Sequence, residues 1–464
     1  MTKQQRKLLF LTLFVSFLIL APAFALYSQG YRIDFQGKRI TQTGAFYFKV
    51  APTRADILVD GNFIKKTDFL FGSALTKNFF PSSYFVEIIK EGYHSWQKIL
   101  EVKERMVTEA KSILLFKKDP VFQKLSDEVV RFWISPNKQY ALLEKRGLNT
   151  SWELRLLNLE TGGEEPFLPQ RKGEIFNIEW TKDSQRFLLS ETFKEQIVST
   201  VYGISQNQPC SKTPCALEYL REETGNISIS SFNADQVFFT KFLNTTQVLF
   251  TANYVKEETA LPLANNVLAF KVNNNYASWL DKDGTLWQQD LREASKASVF
   301  QESVFIPKQE TLYKLFVGKD AIFVQENTTL FLHKKNSSKR NEILSPALEL
   351  QVSPGEDKVA IKNHSELWVL FLEEETEQPQ HKAEELILLT RFSEPIEQLS
   401  WIDSSYLLFS LKDTVRTMEI DNRDRLNIAN IAKFQEPKLF WDNEKGALYV
   451  LSKGTFSISE KLVR

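Results

Sequence analysis

After residue 120 the chain returns again and again to one short theme, and this repetition limits what the chain can fold into more than any other feature. An aromatic or apolar anchor is followed by a polar turn and then by an apolar strand. The clearest copies are Trp133-Ile-Ser-Pro-Asn-Lys-Gln-Tyr-Ala-Leu-Leu143 and Trp180-Thr-Lys-Asp-Ser-Gln-Arg-Phe-Leu-Leu189, 47 residues apart. Further copies begin at Leu350, Trp401 and Trp441, the last two 40 residues apart. Weaker ones sit near Phe232, at Trp279-Leu-Asp-Lys-Asp-Gly-Thr-Leu-Trp287 and at Phe316-Val-Gly-Lys-Asp-Ala-Ile-Phe323. A single small sheet of this kind cannot bury both apolar faces, so each copy needs a neighbour on either side.

A period of about 40–50 residues with several short strands per unit is the pattern of blades stacked in a ring. The strand–turn–strand unit resembles the Trp-Ser-Pro-Asp-Gly element of TolB-type β-propellers, carried best by Ser135-Pro136-Asn137 and Ser353-Pro354-Gly355. The Asp-Gly pair is missing at most copies. The resemblance implies a propeller over residues 120–464, of seven or eight blades, with seven favoured. Trp133, Trp180, Trp401 and Trp441 recur at blade period, which predicts core packing rather than a ligand platform. The charged stretch Glu373 to Glu385 is expected to be a solvated, mobile hairpin loop. Asp281-Lys-Asp-Gly284 is read as a hairpin turn, because an EF-hand loop would place its glycine at about the sixth position.

Composition agrees with an all-β body. The 37 Phe, 13 Tyr and 9 Trp favour pleated, half-buried surfaces. The 17 Gly are few for a highly regular repeat. Lys plus Arg and Asp plus Glu balance at 58 each, and no long basic run occurs, which disfavours a nucleic-acid partner.

At the N-terminus, Lys3, Arg6 and Lys7 precede an uncharged stretch from Leu8 to Tyr31. Its length suits a membrane span. Ala23-Phe24-Ala25 would also suit a signal-peptide cleavage site. Leu26 carries the apolar run past that point, and Tyr27 and Tyr31 suit an interfacial belt, so a retained anchor over 1–31 is the favoured reading. A buried core helix is disfavoured by the basic start. The N-terminus is expected in the cytoplasm and the remainder outside the cell membrane.

Between anchor and repeats, residues 44–117 show apolar runs at Ala45–Val50, Asp56–Val59, Tyr84–Lys90 and Trp96–Val102, with a last strand drawn from Met106 to Phe116. The turn pairs Asp60-Gly61 and Glu91-Gly92 separate them. Pro52, Ala55, Asp60-Gly61, Pro81, Tyr84, Lys90, Gly92-Tyr93, Trp96 and Lys98 fall in the order and spacing of the PEGA domain, a small envelope β-sandwich that this segment resembles. The naming motif is reduced to Pro52-Thr-Arg-Ala55, Ser83 replaces a turn glycine, and Lys66-Thr67-Asp68 replaces another turn. In this reading Tyr93 and Trp96 cap the sandwich core. Lys117-Lys118-Asp119-Pro120 reads as a linker.

The two cysteines, Cys210 and Cys215, lie in one Pro-flanked loop and are a candidate disulfide in an oxidising compartment. With no histidine nearby they cannot complete a zinc site. The four histidines, His94, His333, His364 and His381, are scattered. No nucleophile elbow, zinc-protease helix or phosphate loop is present. Asn149, Asn244 and Asn327 begin glycosylation sequons that carry no weight. No catalytic residue, cofactor or metal is expected. The reading is a membrane-anchored, extracytoplasmic bacterial binding or scaffold protein contacting an envelope protein or cell-wall glycan. A propeller glycosidase or lyase is the alternative. A third reading is a propeller that regulates access to a hydrolase, which is expected to be a separate chain.

Overall fold

The computed structural model describes residues 3–463 except 35–37, 148–150, 194–195, 206–208, 212–213, 218–223, 231–232, 257–258, 274, 293–296, 304, 309, 319, 336 and 338. Asn149 and the anchor Phe232 fall outside the described residues. Helix α1, Lys3–Ser28, is long and apolar enough to cross a membrane, as a signal sequence would also be, and none of its residues is buried in the protein.

A two-stranded ribbon follows, β1 (Tyr31–Asp34) with β2 (Arg39–Gln42). Seven strands then form two facing sheets. They are β3 (Gly44–Ala51), β4 (Asp56–Val59), β5 (Asn62–Lys66), β6 (Ser73–Phe79), β7 (Ser82–Ile89), β8 (Trp96–Val102) and β9 (Val107–Leu114). One sheet has the order β6-β3-β9, the other β5-β4-β7-β8, and β3 pairs with β9 in parallel. Alternate residues such as Phe46, Phe48 and Val50 of β3 meet Ile57, Val86, Ile88, Trp96 and Leu100 in a single core. Trp96 lies inside this core and Tyr93 packs on it. Gly61 and Gly92 sit at positive φ in their turns, at 77° and 80°. The strands β5 and β6 have no counterpart in the sequence reading. β5 is exposed along its whole length, so no alternation marks it.

The remaining strands make eight four-stranded antiparallel sheets. Blades 1 to 7 begin at Val129, Ile175, Thr224, Val267, Tyr313, Glu349 and Ile396 and run in simple order from inner to outer strand. Blade 8 takes its three inner strands from Lys438–Asp442, Ala447–Ser452 and Thr455–Ser459. Its outer strand is β10 (Phe122–Ser126), which pairs with Thr455–Ser459 and so closes the ring with the two ends of the segment.

Packing shows the same circle. Each interface between neighbouring blades holds its own buried cluster, including the one between blades 8 and 1, where Leu143 and Leu157 meet Tyr449 and Phe456. The alternation of strand side chains explains this. In Tyr406–Leu411, Tyr406 and Leu408 face blade 8, whereas Leu407, Phe409 and Leu411 face blade 6. Both faces are dry, so the strand reads as a continuous apolar run. The fold is an eight-bladed β-propeller behind a small β-sandwich and an apolar helix.

Eight, the larger of the two expected counts, replaces the favoured seven. The eight repeated segments had already supplied one copy per blade, the weaker ones included. One was out of register: Trp279 lies on the second strand of blade 4, and the equivalent inner strand is Val267–Val272. Asp281–Gly284 makes the expected hairpin turn. Asp281 Oδ1 accepts from the backbone of Asp283 and Thr285, and its Oδ2 accepts from Trp287 Nε1 at 2.7 Å.

The turns also show why Asp-Gly is dispensable. Ser135, Thr181 and Ser353 each accept a backbone N–H across the turn, from Tyr140, Arg186 and Lys358, at 3.0 Å. Lys138, Ser184 and Glu356 take the positive-φ position that glycine would fill.

Candidate functional site

The sandwich is seated on blades 6, 7 and 8 through a network of polar contacts. On β8, Trp96, Lys98 and Leu100 project to one face, because strand side chains alternate. Trp96 and Leu100 close the sandwich core, while Lys98, fully buried, reaches into the loop that follows strand Thr414–Glu419 of blade 7. Its Nζ lies 2.8 Å from Glu419 Oε1 and donates to the carbonyl oxygens of Asp421 (2.7 Å) and Arg425 (2.9 Å). Trp96 Nε1 donates to Glu419 Oε2 at 2.7 Å, and the Asn427 amide fills Glu419 Oε1 from the other side. Burial pushes the Glu419 carboxyl above its ordinary range, against the pull of Lys98. Burial also raises Asp421, but the Arg423 hydrogen bond and the Lys98 charge outweigh it and hold Asp421 below the usual range.

The segment 373–385 is part of this junction: most of its residues are exposed, as expected of a solvated loop, but it is fastened at several points. Gln378 accepts from Glu109 N (3.0 Å) and donates to Val107 O (3.1 Å). Glu377 pairs with Lys111 and Glu375 with Lys358. His381 is buried and stacks on Phe371 with ring centroids 4.0 Å apart. Three of its charges thus find partners outside the segment: Glu377 on the sandwich, Glu375 within blade 6 and Glu384 on blade 5, where it meets Lys334. The stretch 117–120 is likewise fastened: Lys117 pairs with Glu460, and its N–H donates to Leu462 O. Phe116 packs into the cluster between blades 7 and 8, and Leu114 N donates to the buried Tyr406 hydroxyl, whose pKa burial pushes well above 10.

Between these contacts lies a cavity of about 90 Å³ walled by Trp96, Ile113, Phe371, Pro379, His381 and Arg423. Its ionic groups are spoken for: Glu375 by Lys358, Glu377 by Lys111, Glu419 by Lys98, Asp421 by Arg423. His381 Nδ1 faces Glu385 at 3.3 Å, and Nε2 is a buried polar atom in the cavity wall with no hydrogen-bond partner among the described residues. The cavity therefore offers aromatic surface and a hydrogen-bonding nitrogen, with no uncompensated charge. No single sequence motif marks it, since its walls come from the sandwich and two blades.

The other singled-out residues fall elsewhere. Cys210 and Cys215 lie side by side at the outer strand of blade 2, with Cα atoms 5.0 Å apart, a separation that a disulfide spans. His94 lies at a sandwich turn, His333 on blade 5 and His364 in a turn of blade 6, so no two histidines meet. The described residues contain no group of three or more His, Cys, Asp or Glu able to hold a metal ion. Trp180 Nε1 donates to Trp133 O (3.1 Å) and Trp401 Nε1 to Gln351 O (2.8 Å), so these tryptophans fasten neighbouring blades. Asn244 and Asn327 occupy positive-φ turn positions.

No protein-family profile matches the chain. No curated protein matches it either. Among solved structures, it is similar to the Dos1 propeller (11% identity, 74% of this chain and 95% of that one, TM-score 0.48). It is also similar to the computationally designed Ika8 protein (13%, 74% and 98%, TM-score 0.47). A third is the Cps50 (Swd1) β-propeller domain of Myceliophteria thermophila (10%, 73% and 98%, TM-score 0.42). The assignment of the ring rests on the strand pairing and the packing between blades.

Proposed function

We propose that this protein is a membrane-anchored, extracytoplasmic binding scaffold of a bacterial cell envelope, in which the propeller presents its loops to a protein or glycan partner. The observation that carries this reading is the buried Lys98–Glu419 junction, which makes sandwich and ring one body behind an apolar helix. A display protein gains from such rigidity, because an ordered binding surface loses less entropy on association. The sandwich is read as a PEGA-like module, supported by positive-φ glycines at Gly61 and Gly92 and by Trp96 in its core. The candidate disulfide of Cys210 and Cys215 suits the same compartment. Enzymatic action is not proposed. The carboxylates around the junction cavity are each held by a cation, so that cavity presents no free pair for glycoside chemistry.

The test is crosslinking in intact membranes, followed by mass mapping of the crosslinked residues. Crosslinks from the ring loops to one envelope component, with no turnover of cell-wall polysaccharide by the purified protein, support the scaffold. Hydrolysis or elimination of that polysaccharide would refute it.

A further inference from the structure

The ribbon β1–β2 stands apart from the sandwich sheets and is amphipathic across its two faces. Directly opposed residues of an antiparallel pair share a face. Arg32 opposes Thr41 and Asp34 opposes Arg39 on one side; Tyr31 opposes Gln42 and Ile33 opposes Ile40 on the other. The polar side is turned to the sandwich. Arg32 donates to Asn78 Oδ1 at 3.0 Å, and Thr41 donates to Glu104. On the other side Gln42 is buried and accepts from Arg105, and Tyr31 is half-buried, but the Ile33–Ile40 pair beyond them has no cover: Ile33 is 59% and Ile40 64% exposed. A two-stranded ribbon is at best marginal in water, and an uncovered cross-strand isoleucine pair makes it more so.

The ribbon is also fastened to the end of α1. Thr43 N donates to Gly30 O (3.0 Å) and Gln42 Nε2 to Gln29 O (3.2 Å). The Arg32 guanidinium donates to Tyr27 O and sits 3.7 Å above the Tyr27 ring. The uncovered pair thus starts five residues beyond the helix end, with Lys38 in the adjoining turn and Arg39 opening β2, where it lies 3.6 Å from Asp34 and keeps its side chain 61% exposed. Aromatic and basic residues at the end of an apolar helix favour the headgroup level of a bilayer, and cations there favour anionic lipid.

We propose that the ribbon lies in the headgroup layer of the bilayer that α1 crosses, with Ile33 and Ile40 against the acyl boundary and Lys38 and Arg39 at the level of anionic phosphates. It acts as a foot that fixes the tilt of the sandwich and ring over the membrane. This rests on the membrane-spanning reading of α1.

The test uses the full-length chain in nanodiscs of phosphatidylcholine and phosphatidylglycerol, with or without brominated acyl chains. Single substitutions Ile33→Cys, Ile40→Cys, Leu13→Cys and Lys412→Cys carry an environment-sensitive dye, and the unsubstituted chain corrects for background labelling. If the ribbon inserts to the ~5–10 Å depth of an interfacial element, dyes at 33 and 40 lose about half their emission to bromine. The dye at 412, on a turn of blade 7, stays unchanged. Quenching at 13 without quenching at 33 and 40 overturns the foot while leaving the anchor in place. No quenching at 13 overturns the spanning reading and the foot with it.

Discussion

Lys98 Nζ and Glu419 Oε1 lie 2.8 Å apart with both side chains out of water, one on the sandwich and the other on blade 7. Such a pair holds only while all its hydrogen bonds are made, because each ion has lost its hydration. Here the Trp96 indole, the Asn427 amide and two backbone carbonyls complete the set. The consequence is that the two bodies stay together or come apart as a unit.

Lys98→Ala leaves Glu419 buried without its cation and is expected to remove about 3–5 kcal/mol of stability. Adding Glu419→Gln to Lys98→Met should restore part of that loss, since no net charge is then buried. Urea titrations of the three proteins decide the matter; equal midpoints for Lys98→Ala and the unsubstituted chain would sink it.

Burial holds His333 at about 4, below its ordinary 6.5, with the Arg340 charge adding to the depression. The folded state therefore favours the neutral ring. Its contribution is complete above pH 6.5 and is lost as pH falls towards 4, because the unfolded chain takes up the proton first. The difference corresponds to about 3 kcal/mol. Melting temperature should drop across that window, and His333→Gln should flatten the drop. A parallel pH profile for the variant would show that other groups dominate.

If Cys210 and Cys215 are oxidised in the native protein, replacing both with serine is expected to cost about 2 kcal/mol, the chain-entropy value for so short a loop. Intact mass after alkylation without reductant should show no added groups. Two added groups would mean free thiols.

Trp401→Phe keeps the ring in its packing but deletes the hydrogen bond to Gln351 O, and Trp180→Phe does the same to Trp133 O. Each should lower stability by about 1 kcal/mol, and the two effects should add, since different blade interfaces are involved. Additivity is read from the melting of the double variant.

The repeat theme made the ring legible in the sequence, because an inner-strand anchor, a hydroxyl-bridged turn and a two-faced apolar strand are all local requirements of one blade. The apolar helix and most of the sandwich turns were legible for the same reason. The eight repeat segments match the eight blades one for one, but the closure was not legible, since it depends on β10 from the start of the segment joining the last blade. Nor was the junction. Gln378 and Glu419 look like ordinary surface residues in the sequence, Lys98 stands out there only as part of the sandwich pattern, and nothing near them along the chain reveals that each will be matched by a partner hundreds of positions away. Local pattern fixes what a strand must bury; which polar groups share one dry interface is decided only when the domains meet, because desolvation is a property of the assembled surfaces.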